Sequence, residues 1–538
     1  MMRHEGMERI LHLFSQFITT CFAAPRKRMI IKVFSCTTIG IESCLIDVEV
    51  DVSPGLPQFF TVGLPDIAVK ESKDRIRAAM KNSGYGYPRH HITVNLAPAD
   101  VRKEGTAFDL PIAVGLAATE GLIQQETLQD YIIMGELSLD GRVKAVQGVL
   151  PAAFLAKETG YKGIIIPHEN VLEATMVKEI NVIPVKNLPD VIAFFRGEQP
   201  FTAPQIDPED LFFQRDPSPI LDFSEIKGQE QAKRAFEIAA AGMHNLIMIG
   251  PPGAGKTMLA QRMPTILPEW SFQEAIETTK IYSVAGLLDK EQMIVRTRPF
   301  RSPHHTISDA GLVGGGHIPK PGEISLAHHG ILFLDEFPEF KKNALESLRQ
   351  PLESGVITIS RSSSTATFPA RFMLLGAMNP CPCGYYGDTQ RSCRCSMTQI
   401  RQYQAKISGP LLDRIDIHIE IPSLRYRDLT SQAEAESSRQ IRERVKRARF
   451  IQAERLKDVH PPVNAQMSAP DIKKFCVIDE ASHKLLEMAV DKLGMSARTF
   501  TRILKIARTI ADLEEERDIQ SRHIAEAVQY RNLDRRII

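Results

Sequence analysis

The spacing of apolar positions divides the chain into three regions, and the first of them mixes strand-like and helix-like segments. Within residues 30–196, short runs such as Gln58–Val62 predict strands, whereas Asp66–Ser83 repeats apolar residues at helical intervals. The other strands and helices that the pattern predicts there are Cys44–Val52, Ile92–Leu96, Tyr131–Gly135, Pro151–Thr159 and Gly163–Ile166. Prolines then recur through residues 197–220 at a spacing that helices do not tolerate, so this segment is predicted to be a linker.

The second region, residues 221–422, has the pattern of an α/β domain. It opens with a helical segment, Gln229–Ala241, and continues with apolar strands. The three predicted strands are Asn245–Ile249, Gly330–Leu334 and Arg371–Ala377. The third region, residues 423–538, is predicted to be all helical, with periodic segments at Ser438–Arg455, Glu480–Leu493, Ala497–Glu515 and Ser521–Tyr530. The predicted fold class is therefore α/β with a helical C-terminal region.

The first 28 residues carry a weak targeting signal. Their apolar stretch, residues 11–24, is interrupted by Gln16, Thr19 and Thr20 and is followed by a basic cluster, which a secretory signal peptide does not favour. A strand-like pattern starts at Met29. Residues 1–28 are therefore interpreted as an extension outside the fold.

Composition and charge exclude several classes of protein. The 538 residues include 66 Lys and Arg against 65 Asp and Glu, a formal net charge of +1. That balance argues against a basic nucleic-acid coat, although local basic patches remain compatible with it. No run of 18 apolar residues predicts a membrane-spanning helix. With eight cysteines and no secretory signal, the protein is expected to be cytoplasmic.

The strongest chemical signal is a glycine-rich loop between a strand and a helix. Residues 250–257 match the pattern GxxxxGK[ST]. Backbone N–H groups of such a loop cradle phosphates, Lys256 reaches the terminal phosphates, and Thr257 offers its hydroxyl to Mg2+. ATP and Mg2+ are therefore the expected cofactors. The residues expected to hold the nucleotide are Gly250, Pro251, Pro252, Gly253, Ala254, Gly255, Lys256 and Thr257.

Polar residues follow the two apolar strands that come after this loop. Asp335 and Glu336 end the first, and we assign Asp335 to Mg2+, through water, and Glu336 to polarising the attacking water. Asn379 ends the second strand. Because the tips of parallel strands meet at one sheet edge, Asn379 is expected to sense the γ-phosphate or orient the water. A simple Asn-Pro turn is the alternative for this residue.

Cysteines and histidines form two clusters with metal-binding chemistry. The four crowded cysteines are Cys381, Cys383, Cys393 and Cys395. They offer four thiolates for one tetrahedral, structural Zn2+, although their one-residue gaps are tighter than usual. A redox pair or unligated thiols are the alternatives. Adjacent histidine pairs suit one ion poorly and favour polar loop residues instead; these are His304, His305, His328 and His329.

Several of these segments together resemble AAA+ ATPases. The segments are Asp222-Phe223 through Gly228-Gln229, the phosphate loop, Asp335-Glu336 and Asn379-Pro380. Three longer runs resemble the magnesium-chelatase-like branch, namely RPFRSPHHT from Arg298, LVGGG from Leu312 and PGEISLAHHG from Pro321. With the N-terminal half included, residues 29–535 resemble the YifB/ComM family.

This resemblance implies a homo-oligomeric ring, with six subunits as the family expectation. Residues 221–422 would form the AAA+ core, and residues 423–538 a helical lid. Leu411–Asp416 matches the segment that carries the arginine finger, so Arg414 would reach the γ-phosphate of a neighbouring subunit. Arg498 fits the second sensor arginine, which couples lid position to nucleotide state. Without the resemblance, a surface charge is the simpler interpretation of either arginine.

Residues 90–168 resemble the proteolytic domain of Lon proteases, for example at His91–Leu96, which implies an α+β fold for residues 29–196. That family cuts peptides with a Ser–Lys dyad. Here Ala107 and Leu150 stand about where the Ser and Lys belong, and neither side chain can attack or accept a proton. No peptidase activity is expected, and the domain is predicted to be a scaffold or a nucleic-acid-binding ring.

The resemblance also implies work on single-stranded or branched DNA, as a helicase or translocase that drives branch migration in recombination or natural transformation. Residues 355–371 read as a β-hairpin and residues 281–322 as an insertion, so that Arg361 and Lys320 are candidate phosphate contacts. The basic helix Arg439–Arg449 is another. Solvated charges are the alternative for all three.

Two other functions stay open. One is a chelatase-type motor that remodels a protein partner, and the other is an ATP-switched scaffold that binds DNA or protein without translocating. The Lon-like domain is expected to be absent from chelatase motor subunits, and on that ground the sequence favours the DNA motor.

Overall fold

The computed structural model describes residues 30–204, 206–213, 221–288, 294–316, 319–360, 365–388, 390–423, 435–493 and 496–531. These residues fold into two compact units, one of residues 30–38 and 42–206 and one of residues 39–41 and 207–531. Within the described ranges, no helix is long and apolar enough to cross a membrane. The extension at residues 1–28 and parts of the predicted linker lie outside the described residues.

The first unit is built on a seven-stranded mixed sheet. Its strands are β1 (Ile31–Ile39), β2 (Glu42–Ser53), β3 (Gln58–Val62), β4 (His91–Ala97), β5 (Tyr131–Ile133), β8 (Gly163–Pro167) and β9 (Asn181–Val185), with a separate ribbon of β6 (Glu136–Leu137) and β7 (Val143–Lys144). The sheet order is β3-β4-β2-β1-β5-β8-β9. Within it the β2–β4 pair is antiparallel, and the pairs β3–β4, β1–β5, β5–β8 and β8–β9 are parallel.

Six helices accompany this sheet in the described residues. They are α1 (Ile67–Asn82), α2 (Asp109–Thr119), α3 (Gln125–Leu128), α4 (Val149–Glu158), α5 (Val171–Ala174) and α6 (Leu188–Phe195). Helix α2 is apolar on nearly every side and is therefore buried along its length. Its first residue, Asp109, is buried as well, and its carboxylate accepts from Arg75 Nε at 2.6 Å. The predicted strands and helices are present with ends shifted by at most two residues.

The second unit contains a five-stranded parallel sheet. Its strands, in the order β11-β14-β17-β10-β18, are β11 (Phe300–Arg301), β14 (Ile331–Leu334), β17 (Met373–Met378), β10 (Leu246–Ile249) and β18 (Ile417–Glu420). Two antiparallel ribbons accompany it, β12 (Gly314–Gly315) with β13 (Lys320–Pro321), and β15 (Val356–Ser360) with β16 (Thr365–Pro369). Strands β10, β14 and β17 are buried at every position, because a parallel sheet is covered on both faces.

The helices predicted for the second unit are present, and the structure adds others that the sequence pattern did not predict. In and around the sheet they are α7 (Pro208–Phe213), α8 (Glu230–Gly242), α9 (Lys256–Ile266), α10 (Phe272–Ala285), α11 (Asp309–Val313), α12 (Glu323–Leu326), α13 (Lys342–Ser347), α14 (Arg349–Ser354), α15 (Met397–Gln404) and α16 (Gly409–Leu412). The C-terminal ones are α17 (Ser438–Arg455), α18 (Ala469–Phe475), α19 (Glu480–Leu493), α20 (Ala497–Leu513) and α21 (Ser521–Gln529).

The C-terminal helices share a hydrophobic core with the sheet. Val445 of α17, Ile506 of α20 and Ala527 of α21 belong to the same buried cluster as Leu246 and Met248 of β10. Backbone contacts add to this packing, since His418 N donates to Tyr530 O at 2.9 Å. The helical region therefore depends on the sheet for the burial of its apolar side.

Two sequence expectations need correction. The proline-rich segment 197–220 contains a short helix, Pro208–Phe213, because proline is well accommodated in the first turn of a helix, where its missing N–H is not needed. Residues 281–322 are not wholly an insertion, because Phe300–Arg301 forms the edge strand β11 of the main sheet. Two residues are too few to produce a periodic signal in the sequence.

Candidate nucleotide-binding site

The phosphate loop connects β10 to α9 and turns sharply through glycines. Gly255 has φ +88°, a left-handed backbone that glycine adopts at little cost, and a Cβ at Gly250 would lie 2.3 Å from Ile421 O. Lys256 Nζ donates to Gly250 O at 2.7 Å and to Asn379 Oδ1 at 3.1 Å. Burial lowers the pKa of Lys256, and the Asp335 carboxylate opposes that shift. The lysine is thus held at the mouth of the loop.

The second strand tip supplies the two adjacent acids. Thr257 Oγ1 donates to Asp335 Oδ2 at 2.7 Å, so the two residues expected to bind Mg2+ are in direct contact. Glu336 has a left-handed backbone, with φ 53° and ψ 44°, and its N–H donates to Asp335 Oδ1 at 2.9 Å. The His305 ring nitrogen Nδ1 lies 3.0 Å from Glu336 Oε2.

These groups line one cavity of about 670 Å³. It brings together the phosphate loop from Pro252, the acids Asp335 and Glu336, and Asn379. One wall was not expected from the sequence: it consists of Ser302, Pro303, His304 and His305. The arrangement provides a phosphate cradle, hard oxygen ligands for a divalent cation, and a carboxylate beside them.

The two predicted sensor and finger arginines do not line this cavity. Arg414 is 5% exposed, donates to Pro410 O at 2.5 Å and pairs with Glu353. Arg498 is more exposed and lies 3.6 Å from the same Glu353 carboxylate. Within one chain, the structure therefore joins the two arginines to each other through a shared acid and not to the nucleotide site.

The four clustered cysteines come together directly after Asn379. Cys381 Sγ lies 3.4 Å from Cys383 Sγ and 3.7 Å from Cys393 Sγ, and Cys383 N donates to Cys395 Sγ at 3.4 Å. The four sulfurs all lie within 4.8 Å of one another. A tetrahedral ion with Zn–S bonds of about 2.3 Å requires sulfurs about 3.8 Å apart, so the donor set fits Zn2+.

The rival histidine set does not fit a metal equally well. His328 and His329 approach the Glu277 carboxylate at 3.5 Å and 2.9 Å. His328 Nδ1, however, already accepts the backbone N–H of Arg371 at 3.0 Å. In the neutral ring, Nε2 then carries the proton and cannot bind a cation through a lone pair. His304 and His305 belong to the nucleotide cavity instead.

The candidate DNA contacts differ in their surroundings. Lys320 is exposed on the β12–β13 ribbon, and the predicted hairpin is present as β15–β16, with Arg361 outside the described residues. On the basic helix, four of the six cations are engaged within the chain. They are Arg444 with Glu237 and Glu436, Lys446 with Glu269 and Glu443, Arg447 with Glu515, and Arg449 with Ala240 O. Their pairing favours an intramolecular role for this helix.

The positions where a peptidase dyad would stand are apolar. Ala107 O accepts the backbone N–H of Gly135 at 3.0 Å, and Leu150 is buried, with its own N–H donated to Glu173 Oε1 at 2.9 Å. The first unit thus offers no nucleophile or base at either position.

Comparison with known proteins places these features in a family. Three family models match, described as magnesium chelatase subunit ChlI over residues 222–429, subunit ChlI of Mg-chelatase over residues 48–170, and the ChlI C-terminal region over residues 435–531. The chain is 45% identical over 508 residues to competence protein ComM of Haemophilus influenzae, covering 94% of this chain and 97% of that protein.

Two further relatives differ in how much of this chain they match. The uncharacterized protein YifB of Salmonella typhimurium is 44% identical over 501 residues, 93% of this chain and 96% of that protein. The magnesium-chelatase 38 kDa subunit of Rhodobacter capsulatus is 26% identical over 181 residues, 30% of this chain and 51% of that protein. The similarity to YifB spans both units of this chain.

Proposed function

Because the chain belongs to the YifB/ComM family of magnesium-chelatase-like AAA+ ATPases, we propose that it is an ATP-driven ring motor that acts on DNA. The observation that supports this most directly is the convergence of the phosphate loop, Asp335, Glu336 and Asn379 on one cavity. Phosphoryl transfer to water needs these parts and little covalent chemistry from the protein. The family supports ATP hydrolysis, and DNA as the substrate is our proposal.

Each residue's task in hydrolysis follows from its contacts. Lys256, which bridges the loop carbonyls and Asn379, would bring positive charge to the terminal phosphates. Thr257 and Asp335 would hold Mg2+, whose charge would offset the charge on the phosphates. Glu336 would polarise the attacking water, because its carboxylate reaches the same cavity without taking part in the Thr257–Asp335 contact.

Ring assembly would complete the site through Arg414, supplied to the γ-phosphate of the neighbouring subunit. Within its own chain this arginine is paired with Glu353, which Arg498 also approaches. The two cations share one carboxylate, so a shift of the helix that carries Arg498 would change the hold on Arg414. We expect this acid to link lid position to finger position.

The DNA part of the proposal is tested with the purified full-length chain, ATP and a fluorescently labelled four-way DNA junction. We expect ATP-dependent strand exchange by the wild type and none by the Glu336→Gln variant, which should still bind ATP. A junction left intact, together with ATP hydrolysis that does not respond to DNA, would contradict the DNA motor. DNA binding without movement would instead indicate an ATP-switched scaffold.

A chelatase-type motor acting on a protein partner is the second candidate. The sequence argument against it relied on the N-terminal region, yet a magnesium-chelatase model matches residues 48–170 of that region. The ComM and YifB relatives match this chain across both units, whereas the magnesium-chelatase subunit of Rhodobacter capsulatus matches 30% of it, so we keep the DNA motor as the first proposal and the chelatase-type motor as the second. Hydrolysis that a protein partner stimulates and DNA does not would reverse that preference.

We also propose that Cys381, Cys383, Cys393 and Cys395 hold one structural Zn2+, since four thiolates leave no open position for catalysis. The test is elemental analysis of the full chain purified without chelator. We expect about one zinc per chain, lost in Cys383→Ser and retained in Cys44→Ser, a thiol of the first unit outside the cluster. A zinc-supplied protein that retains no metal, or a disulfide among the four, would overturn the site.

A further inference from the structure

The backbone of the predicted finger segment, residues 411–416, is held to the sheet by one asparagine. Asn245, which precedes β10, accepts the Asp416 N–H through its carbonyl oxygen at 3.0 Å, and its own N–H donates to Asp416 Oδ2 at 3.1 Å. The amide Nδ2 of Asn245 also donates to Arg414 O at 3.3 Å. These hydrogen bonds fix one side of the segment between α16 and β18.

Two arginines of the C-terminal region hold the same segment from the helix side. Arg502 of α20 donates from one nitrogen, Nη1, to Arg414 O at 3.2 Å and to the Asp416 carboxylate. Arg531, which follows α21, donates from Nη1 to Ile415 O. Both side chains are well covered, since that of Arg502 is 20% exposed and Arg531 is 1% exposed. Three consecutive residues of the finger segment are therefore hydrogen-bonded to the C-terminal region.

Arg502 lies one helical turn after Arg498, the predicted sensor arginine, and has a different partner. Arg498 approaches the Glu353 carboxylate at 3.6 Å, whereas Arg502 holds the backbone and the acid of the finger segment. Because a helix moves as a rigid element, a displacement of α20 would carry Arg502 and the finger backbone with it. Arg502 is not among the residues that line the nucleotide cavity. Its contacts therefore point to an effect on the finger and not on the nucleotide of its own subunit.

We propose that Arg502 is a positioning residue for ATP hydrolysis in the neighbouring subunit, because it fixes the backbone from which the Arg414 side chain extends. A catalytic group that is misplaced by about 1 Å can lose about 100-fold in rate. Arg502 itself touches neither nucleotide nor water, and its effect passes through Arg414. The inference rests on the ring and the finger of the proposed function, and it adds the residue by which the helices of one subunit set the reach of its finger.

The first test compares Arg502→Ala with Arg502→Lys in steady-state ATP hydrolysis without DNA. A single nitrogen of Arg502 serves both acceptors, so a lysine ammonium can donate to both in its place. We expect Arg502→Ala to lower kcat about 10- to 100-fold, with the affinity for a fluorescent ATP analogue changed by less than about two-fold. Arg502→Lys should recover most of the lost rate.

The second test asks in which subunit the loss of rate arises. Arg502→Ala and Lys256→Ala subunits are mixed in equal amounts, so that the phosphate loop of the first can receive Arg414 from the second. Random assembly places an intact loop beside a positioned finger at about a quarter of the sites, so up to about a quarter of the wild-type rate should return. Mixing Arg502→Ala with Arg414→Ala should return no more than the residual rate of Arg502→Ala, because neither subunit supplies a positioned finger.

Controls separate positioning from a loss of folding. Arg522→Ala is the matched control, because Arg522 is a cation of α21 that pairs with Glu514 and Glu516, and this variant should hydrolyse ATP like the wild type. Removing Arg502 leaves the buried Asp416 carboxylate without this cation, which can destabilise the fold. Thermal unfolding is therefore measured for each variant, and Arg502→Ala is repeated together with Asp416→Asn, which removes the unpaired charge. The double variant should show the same loss of rate and the same recovery in the mixture.

Three results would overturn the inference. A folded Arg502→Ala variant that hydrolyses ATP as fast as the wild type would exclude positioning. A slow Arg502→Ala variant that Lys256→Ala subunits do not rescue, although they rescue Arg414→Ala, would place the role of Arg502 in its own subunit and contradict this inference alone. If Lys256→Ala subunits rescue neither variant, the finger supplied in trans, which belongs to the proposed function, fails together with the inference.

Discussion

Gly384 of the cysteine loop (residues 381–395) lies beside Pro252 of the phosphate loop, and this close approach can be perturbed by a single substitution. Gly384 has φ +88°, and a Cβ there would lie 2.6 Å from Pro252 Cδ and 2.8 Å from Pro252 Cγ. Gly387, three residues on, has φ +80° and would meet nothing within 4 Å. Both residues belong to the segment between the cysteine pairs. Gly384→Ala and Gly387→Ala therefore share the backbone strain and differ in the collision.

The expected effect on ATP binding follows from two energetic costs, the left-handed backbone strain and the collision with Pro252. An alanine at either position bears about 1–2 kcal/mol of left-handed backbone strain, which destabilises the loop in both variants alike. Only Gly384→Ala adds overpacking against Pro252, a cost of about 1–3 kcal/mol. If the phosphate loop shifts to relieve this collision, the same cost reduces the free energy of nucleotide binding. ATP should then bind Gly384→Ala about 5- to 150-fold more weakly than it binds Gly387→Ala.

The assay is a titration of both variants with a fluorescent ATP analogue, with thermal unfolding measured in parallel. We expect Gly387→Ala to bind the analogue like the wild type, and Gly384→Ala to bind it more weakly at a similar melting temperature. Equal analogue affinities in the two variants would refute the reasoning. The contact with Pro252 would then be too soft to transmit a shift from the cysteine loop to the nucleotide.

Three further predictions address the site and its surroundings. Glu336→Gln should bind ATP normally and hydrolyse it at least about 100-fold more slowly in single-turnover assays, and an unimpaired rate would contradict the water-activating role. Burial lowers the pKa of His328 to about 4 from an ordinary 6.5, and protonation would also displace the Arg371 N–H. The folded protein therefore resists protonation of His328 more than the unfolded chain does, and the free energy of unfolding should fall by at most about 3 kcal/mol between pH 6.5 and 4. The fall, measured by denaturant unfolding at each pH, should be smaller in His328→Gln. Mixing Arg414→Ala with Lys256→Ala subunits should restore part of the ATP hydrolysis that each variant lacks alone. The phosphate loop of an Arg414→Ala subunit could then receive Arg414 from a neighbouring Lys256→Ala subunit. Mixtures as inactive as the separate variants would argue against a finger supplied in trans.

The nucleotide site was accessible from the sequence because its parts are short, contiguous and placed at strand ends. The phosphate loop, the acids after β14 and Asn379 after β17 each follow an apolar run that periodicity detects. Parallel pairing then brings the three strand ends together, and the structure shows the Lys256–Asn379 and Thr257–Asp335 contacts that result.

The parts that escaped prediction depend on contacts between distant segments. The strand that carries His305 towards Glu336 is two residues long and leaves no periodic pattern. The cations of Arg439–Arg449 read as a free basic face, yet their acidic partners, such as Glu237 and Glu515, lie far away along the chain. Pairing of this kind is set by packing and not by local spacing, so the sequence showed the charges and not their neutralisation.

The packing of the C-terminal helices on the sheet has a consequence for how the protein is made. Phe223 N donates to Ser438 Oγ at 2.9 Å, and His418 N donates to Tyr530 O at 2.9 Å. Residues near both ends of the nucleotide-binding core are therefore hydrogen-bonded to residues that are synthesised later. At about 5–20 residues per second, the ribosome needs about 5–20 s to travel from β18 to Tyr530. The strands are therefore synthesised seconds before the helical residues that share their core, and during that interval the apolar face of the sheet lacks these partners.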